Sequence, residues 1–348
     1  MYYLKYSIVT IIFIIMLQGC SQKILIKSLK SAKVTDKAVR NISVNTFTND
    51  TISQSLQINS ALGNVIINNK KYFTLIDRKN IDKVLIEKRL NDSGLVDLNN
   101  QNLLIGLKEV TSILTGTVLL NTKSSTQYYE KRTDFSRCVK WYTKNNKKYC
   151  SNYRKYTIYC KSNIYNVKTK INLIKISNSK IIFTKTYSKN KKYSHCSDDN
   201  TILPSKRTVN TNLAKGIANN LILDIAPSYV YYNVELLDSV KINISSTQKK
   251  KFKLALKMIE LKRIKKANKI LNYLNKELHN LSYVVLYDLA ITEESLGNLN
   301  KALSLLNKAE NITLVEDNLI DEISISIKRL TNNIKEVYKA KQQIDLTY

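Results

Sequence analysis

Residues 72–90 read YFTLIDRKNIDKVLIEKRL, and the two halves of this stretch favour different backbones. The first five residues, YFTLI, are aromatic and branched, a composition that suits a short strand. Asp77 stands where a helix N-cap is wanted, and Ile81, Val84, Leu85 and Lys88 then fall on one helical face. A strand feeding directly into a capped helix is a unit of an α/β sheet, which requires the same alternation in the flanking sequence.

It is found on both sides. Residues 39–47 (VRNISVNTF) set Ile42, Val44 and Thr46 on one side of a strand. Asn49-Asp50-Thr51 can cap a following helix in which Leu56, Leu62, Val65 and Ile66 come at near-helical spacing. Residues 111–120 (TSILTGTVLL) are a further strand. From 164 to 187, Val167, Thr169, Ile171 and Leu173 alternate with polar residues, 177–180 turn, and Ile181-Ile182-Phe183 return as a hairpin. Leu213, Ile217, Leu221 and Ile225 step by four along a helix that ends at Pro227. The expectation is an α/β unit with a small mixed sheet over residues 39–238, closed by a strand at 229–237 (YVYYNVELL).

Together with SGLVD at 93–97 and TSILTGTV at 111–118, residues 72–90 resemble the CsgG-like lipoproteins, whose founding member is the curli secretion channel of the outer membrane. The family pattern is an aromatic strand, an acid-Arg pair, an apolar helix ending in Glu, and a strand carrying Gly-x-Val. Asp77, Arg78, Glu87 and Gly116 with Val118 occupy those places, and the hairpin at 166–187 is similar to the family's late strands. Physically these residues read as fold determinants: Asp77 caps, Gly116 permits close approach of backbone in a strand, and Arg78 and Glu87 could pair. Two departures limit what the resemblance implies. Residues 48–54 (TNDTISQ) lack the aromatic residues of the family's pore constriction. The insertions at 121–160 and 188–208 carry charges in nearly every window, where membrane hairpins need one apolar face. The fold and the lipid anchor carry over, and the pore does not.

The anchor has its own signature. Lys5 precedes an apolar block at 6–17 (YSIVTIIFIIML), too short to span a bilayer and suited to the core of an export signal. Leu17-Gln18-Gly19-Cys20 resembles a bacterial lipobox, so residues 1–19 are expected to be a signal peptide and Cys20 the acylated first residue of the mature chain, with Ser21 after it in the manner of outer-membrane sorting. Residues 20–38 then read as a basic tether. The other cysteines, Cys138, Cys150, Cys160 and Cys196, form an even set suited to disulfides in an oxidising compartment, with three pairings open. No pair has the short spacing of a zinc site.

The 348 residues carry 56 Lys and Arg against 27 Asp and Glu, a net charge of +29. Such a field favours anionic partners, whether lipid headgroups or acidic polymers. The abundance of Lys, Asn, Ile and Tyr throughout also fits compositional drift. The export signal and the lack of a recognition motif argue against nucleic acid. In the insertion at 121–160, Tyr and Lys interleave. Trp141 and Tyr142 could form a stacking platform, or the segment could be an extended hairpin held by Cys138 and Cys150.

From about 247 to 345 the chain reads as helical. In residues 286–309, Leu289, Ala290, Gly297, Ala302, Leu306 and Ala309 fall at tetratricopeptide spacing, and Ala255, Ala267 and Leu271 repeat the pattern 35 residues earlier. On the matching positions Tyr287, Ile291 and Glu294 would face a concave groove and contact an envelope protein partner. Two histidines and seven glycines offer little for a catalytic constellation or a phosphate loop, and His195 beside Cys196 does not make a dyad. The chain is therefore expected to be a non-catalytic lipoprotein of the outer membrane facing the periplasm. It would need no cofactor or metal and would act as a scaffold or adaptor through protein contacts, with self-association also open. The alternative is a ring-forming secretion channel or channel accessory.

Overall fold

The computed structural model describes residues 22–76, 110–200, 202–313 and 320–345. The chain divides into two units, residues 32–226, and residues 227–348 together with the segment that ends at Ser31. Cys20 and the export signal lie outside the described residues, as do Asp77, Arg78, Glu87 and the helix expected after Asp77. The protein is mixed α/β, as the alternation of patterns predicts.

The unit of residues 32–226 is built on a five-stranded sheet with the order β5-β2-β6-β7-β8. Its strands are β2 (Asn41–Val44), β5 (Thr74–Leu75), β6 (Ser112–Lys144), β7 (Lys147–Lys175) and β8 (Lys180–Cys196). β2 runs parallel to both β5 and β6, and β6, β7 and β8 form an antiparallel meander. Alternation along β7 turns Tyr165, Val167, Thr169, Ile171 and Leu173 into the core. Above them lie α1 (Gln54–Gly63) and α2 (Lys206–Ile225), which pack against each other, with α2 also on β7 and β8. α2 buries Leu213, Ile217, Leu221 and Ile225, the residues spaced by four. Each such side chain contributes about 1.5–3 kcal/mol of transfer free energy. Between the layers, the fully buried Gln54 donates from Nε2 to the Ala214 carbonyl at 2.9 Å.

Two short elements differ from expectation. α1 is capped by Asp50, whose carboxylate accepts from the backbone N–H of Gln54 at 2.5 Å and Ser55 at 3.0 Å. The helix stops at Gly63, however, so its inner face is Gln54, Ile58 and Leu62, while Leu56 is exposed. Ile66 is exposed in a two-residue strand, β3 (Ile66–Ile67), paired with β4 (Lys70–Lys71). β5 is also shorter than the YFTLI pattern suggests. Tyr72 and Phe73 leave the strand and stack edge to face, 4.8 Å between ring centres, in the core. Gly116 lies against Phe47: a Cβ built on it would stand 2.6 Å from the ring's Cδ2.

The tether and the first domain's closing strand are corrected together. Residues expected to form a loose basic tether include β1 (Lys23–Lys30), and the strand after Pro227, β9 (Ser228–Glu235), pairs with β1 rather than closing the five-stranded sheet. Ile24 and Ile26 alternate with Lys23, Leu25 and Lys27, so the strand buries one face despite its charge. The domain limits move accordingly, from 39–238 to 32–226, and the β1/β9 ribbon belongs with the helices.

Those helices are α3 (Ser246–Glu260), α4 (Ile264–Glu277), α5 (Tyr283–Ser295), α6 (Leu299–Ile312) and α7 (Ile320–Asp345), each packed on the next in sequence. Ser245 and Gln248 form a capping box that starts α3. Gly297, at φ 86°, ends α5 while Asn298 N–H returns to the Glu293 carbonyl at 2.9 Å. Ala255, Ala267, Ala290, Ala302 and Ala309 are fully buried where the helices meet. α5 is buried on every side, from Tyr283 to Glu294, because β1 and two flanking helices cover it.

Candidate functional site

The expected groove contacts are not at a surface. Tyr287, Ile291 and Glu294 are all buried, which corrects their reading as partner-binding residues. The β1/β9 ribbon and α7 occupy the space a groove would need. Glu294 Oε1 receives the Tyr232 hydroxyl at 2.8 Å and Nη1 of Arg329 at 2.5 Å, and Asn333 Nδ2 donates to the Tyr232 oxygen at 2.8 Å. Ser28 Oγ donates to Asn333 Oδ1. The Tyr287 hydroxyl donates to the Glu235 carbonyl at 3.2 Å, and burial pushes its pKa up to about 12. At the next residue, burial drives the Asp288 carboxyl well above its usual range, against the Leu237 N–H that it accepts at 3.0 Å. These contacts bind the chain's own strands and helix to α5, so they belong to folding.

The exposed chemistry lies on β6 and β7. β2 pairs only with Ser112–Leu114 of β6, and β8 ends at Cys196 opposite Cys160. Beyond that point β6 and β7 continue alone as a two-stranded arm to a tight turn at Asn145 and Asn146, at φ 53° and 57°. At ~3.4 Å per residue the arm extends roughly 45 Å past the Cys160 register. A ribbon of two strands is marginal by itself. Here the Cys138–Cys150 disulfide joins its two strands near the tip, and the Cys160–Cys196 disulfide fastens the end of β8 to β7 at its base. The residues spaced along it support the extended hairpin, and the register selects one of three pairings. Tyr129 meets Tyr159 at 5.9 Å between ring centres, Phe135 meets Tyr153 at 5.1 Å, and Tyr142 stacks on Tyr149 at 5.7 Å.

Alternation sorts charge between the arm's faces. The even-numbered face carries Arg132 opposite Tyr156 and Asp134 opposite Arg154, with Glu130 opposite Ile158. Arg132 approaches Asp198 at 3.3 Å and both Glu130 and Asp199 at 3.7 Å, and Asp199 accepts the Cys196 N–H at 2.7 Å. Asp134 is held below the usual carboxylate range by hydrogen bonds from Ser136, first from its hydroxyl. The odd-numbered face pairs Gln127 with Lys161, Tyr129 with Tyr159, Lys131 with Thr157 and Thr133 with Lys155, with His195 opposite Lys161. No carboxylate stands on that face between 123 and 133 or between 155 and 165. Tyr129 is 73% exposed and Phe135 75%. The arm thus presents a cationic face interleaved with tyrosine. The interleaving is legible in the sequence, whereas the segregation depends on the register of two strands.

Glu130 with Cys160 and Cys196 is the single grouping of metal-ligand type among the described residues. Both sulfurs are joined in the disulfide, so neither offers a thiolate, and Cys196 is no thiol nucleophile for His195. Among the described residues no helix is long and apolar enough to cross a membrane. No protein-family model matches the chain, and no curated protein matches it significantly.

Proposed function

We propose that the protein is a non-catalytic lipoprotein of the outer membrane, acylated at Cys20 and facing the periplasm, that acts as an adaptor in a cell-envelope assembly. In this reading residues 32–226 are a CsgG-like unit and the helices a tetratricopeptide-like one. The partner contact lies on the arm, because the helical groove is filled from within. The observation that carries the proposal is the disulfide-pinned ribbon whose tyrosines and lysines are held exposed on one face, where they suit an acidic surface of a partner protein. A secretion channel is less well supported. A lipid-facing strand needs one apolar face, and both faces of the arm carry charge.

The experiment is site-specific photocrosslinking in intact cells from Tyr129, Lys131 and Tyr159, with Lys308 and Tyr338 of the helical unit as controls. Discrete adducts are expected from the arm positions only, and Lys131→Glu with Lys155→Glu should remove them. Identical adducts from both sets, or none from the arm, would overturn the assignment. Acylation is read separately: Cys20→Ser should abolish palmitate labelling.

A further inference from the structure

β1 begins at Lys23, so only Ser21 and Gln22 separate it from Cys20. Three residues at most ~3.6 Å apart hold Cys20 within about 11 Å of the strand's start. Whatever surrounds that start must then lie close to the bilayer. Pairing sets Lys23 opposite Glu235, Leu25 opposite Asn233 and Lys27 opposite Tyr231, and alternation turns this row away from the core that takes Ile24 and Ile26. Leu25 is 59% exposed and Tyr231 60%.

The turn between α3 and α4 stands beside this row. A groove of about 730 Å³ separates them, with Gln22, Leu25, Lys262 and Ile264 in its walls. The turn, with the first residues of α4, presents Leu261, 52% exposed, and the exposed cations Lys262, Arg263, Lys265 and Lys266. Glu260, the single carboxylate from 257 to 266, is engaged by Lys257 at 2.9 Å, and Lys23 is engaged by Glu235 at 2.7 Å. No carboxylate of the stretch is left for the other four cations.

We propose that this face, the outer row of β1/β9 with the α3–α4 turn, docks on anionic phospholipid headgroups. Leu25, Tyr231 and Leu261 enter the interface, where aromatic and apolar side chains partition, while Lys262, Arg263, Lys265 and Lys266 meet phosphate. The proposal rests on the acylation of Cys20 given above, because the short chain length is what brings this face to the membrane. A polybasic surface beside a lipid anchor gives a second hold and fixes which side of the helical unit faces the bilayer.

The test uses the mature chain from residue 20 carrying Cys20→Ser, so that binding is read without acyl chains. Co-sedimentation is measured with vesicles of phosphatidylcholine alone and with added phosphatidylglycerol. Binding is expected only to the anionic vesicles, and K262E/R263E/K265E should weaken it at least about tenfold. The equal charge change K308E/K335E/K341E on α6 and α7 should leave it within about twofold. Equal losses in both variants, no loss in the first, or no binding by the parent chain would overturn the docking face. Failure of palmitate labelling would instead remove the acylation reading, while the vesicle result would still report on the face itself.

Discussion

Arg329 of α7 places Nη1 2.5 Å from Oε1 of Glu294, whose side chain is wholly buried in α5. The Tyr232 hydroxyl shares the same oxygen at 2.8 Å. The pair ties the C-terminal helix to the centre of the helical unit, and neither Glu294 Oε2 nor Arg329 Nη2 has a further partner. Arg329→Leu therefore leaves a buried carboxylate without its counter-ion. The expected cost is about 3–5 kcal/mol in urea unfolding. Glu294→Leu combined with Arg329→Leu should cost less than Arg329→Leu alone. A double variant as unstable as the sum of the singles would show that the two side chains act independently.

Asp288 makes the helical unit sensitive to pH in an unusual direction. Burial raises its folded pKa above the unfolded value, so the protonated form favours the fold. That contribution is complete below the unfolded pKa and declines as pH rises towards the folded one. Asp288→Asn keeps an oxygen for the Leu237 N–H but cannot ionise. It should raise the unfolding midpoint at pH 7, with the gain vanishing near pH 3. A variant less stable than the parent at pH 7 would mean that the carboxylate is stabilised there.

Gly116 leaves no room beside Phe47. Gly116→Ala should destabilise the sheet unit by about 1–3 kcal/mol through overpacking. Phe47→Leu, made in the Gly116→Ala background, should recover part of that loss. Thermal unfolding followed by near-ultraviolet circular dichroism gives both numbers, and an unchanged midpoint for Gly116→Ala would remove the close approach as a constraint.

Cross-linking of the arm can be separated from global stability. Cys138→Ser with Cys150→Ser opens only the end of the ribbon, which makes no contribution to the packed core of the sheet. Amide exchange from Trp141 to Tyr149 should quicken several-fold while exchange in Val167 to Leu173 stays unchanged. Equal acceleration in both segments would show that the tip and the core unfold as one.

Local patterns were legible where a single element meets the core by its own period. Leu213, Ile217, Leu221 and Ile225 lie inward as their spacing implies, the hairpin turns at 176–179, one residue before the expected 177–180, and the alanines at repeat spacing sit where helices touch. What escaped depends on partners distant in sequence. Tyr287, Ile291 and Glu294 sit at positions that a groove would expose, but Tyr232 and Arg329, far along the chain on either side, cover Glu294. β1 was obscured by its lysines, since half of an alternating strand is polar by design and a basic stretch after a lipidation signal reads equally well as a linker. The two charge classes of the arm are separated by register, which no window of sequence contains.

The pairing of Lys23–Lys30 with Ser228–Glu235 also sets an order of events. β1, the first strand among the described residues, leaves any export machinery well before its partner, which follows some 200 residues later. Until then β1 has two open edges and an apolar side, and completion of the helical unit waits on one of the longest loop closures in the chain. The lysines at 23, 27 and 30 are therefore useful before the fold exists: they keep KILIKSLK from pairing with copies of itself during the delay. The residues 32–226 can fold in that interval as an insertion within an unfinished neighbour.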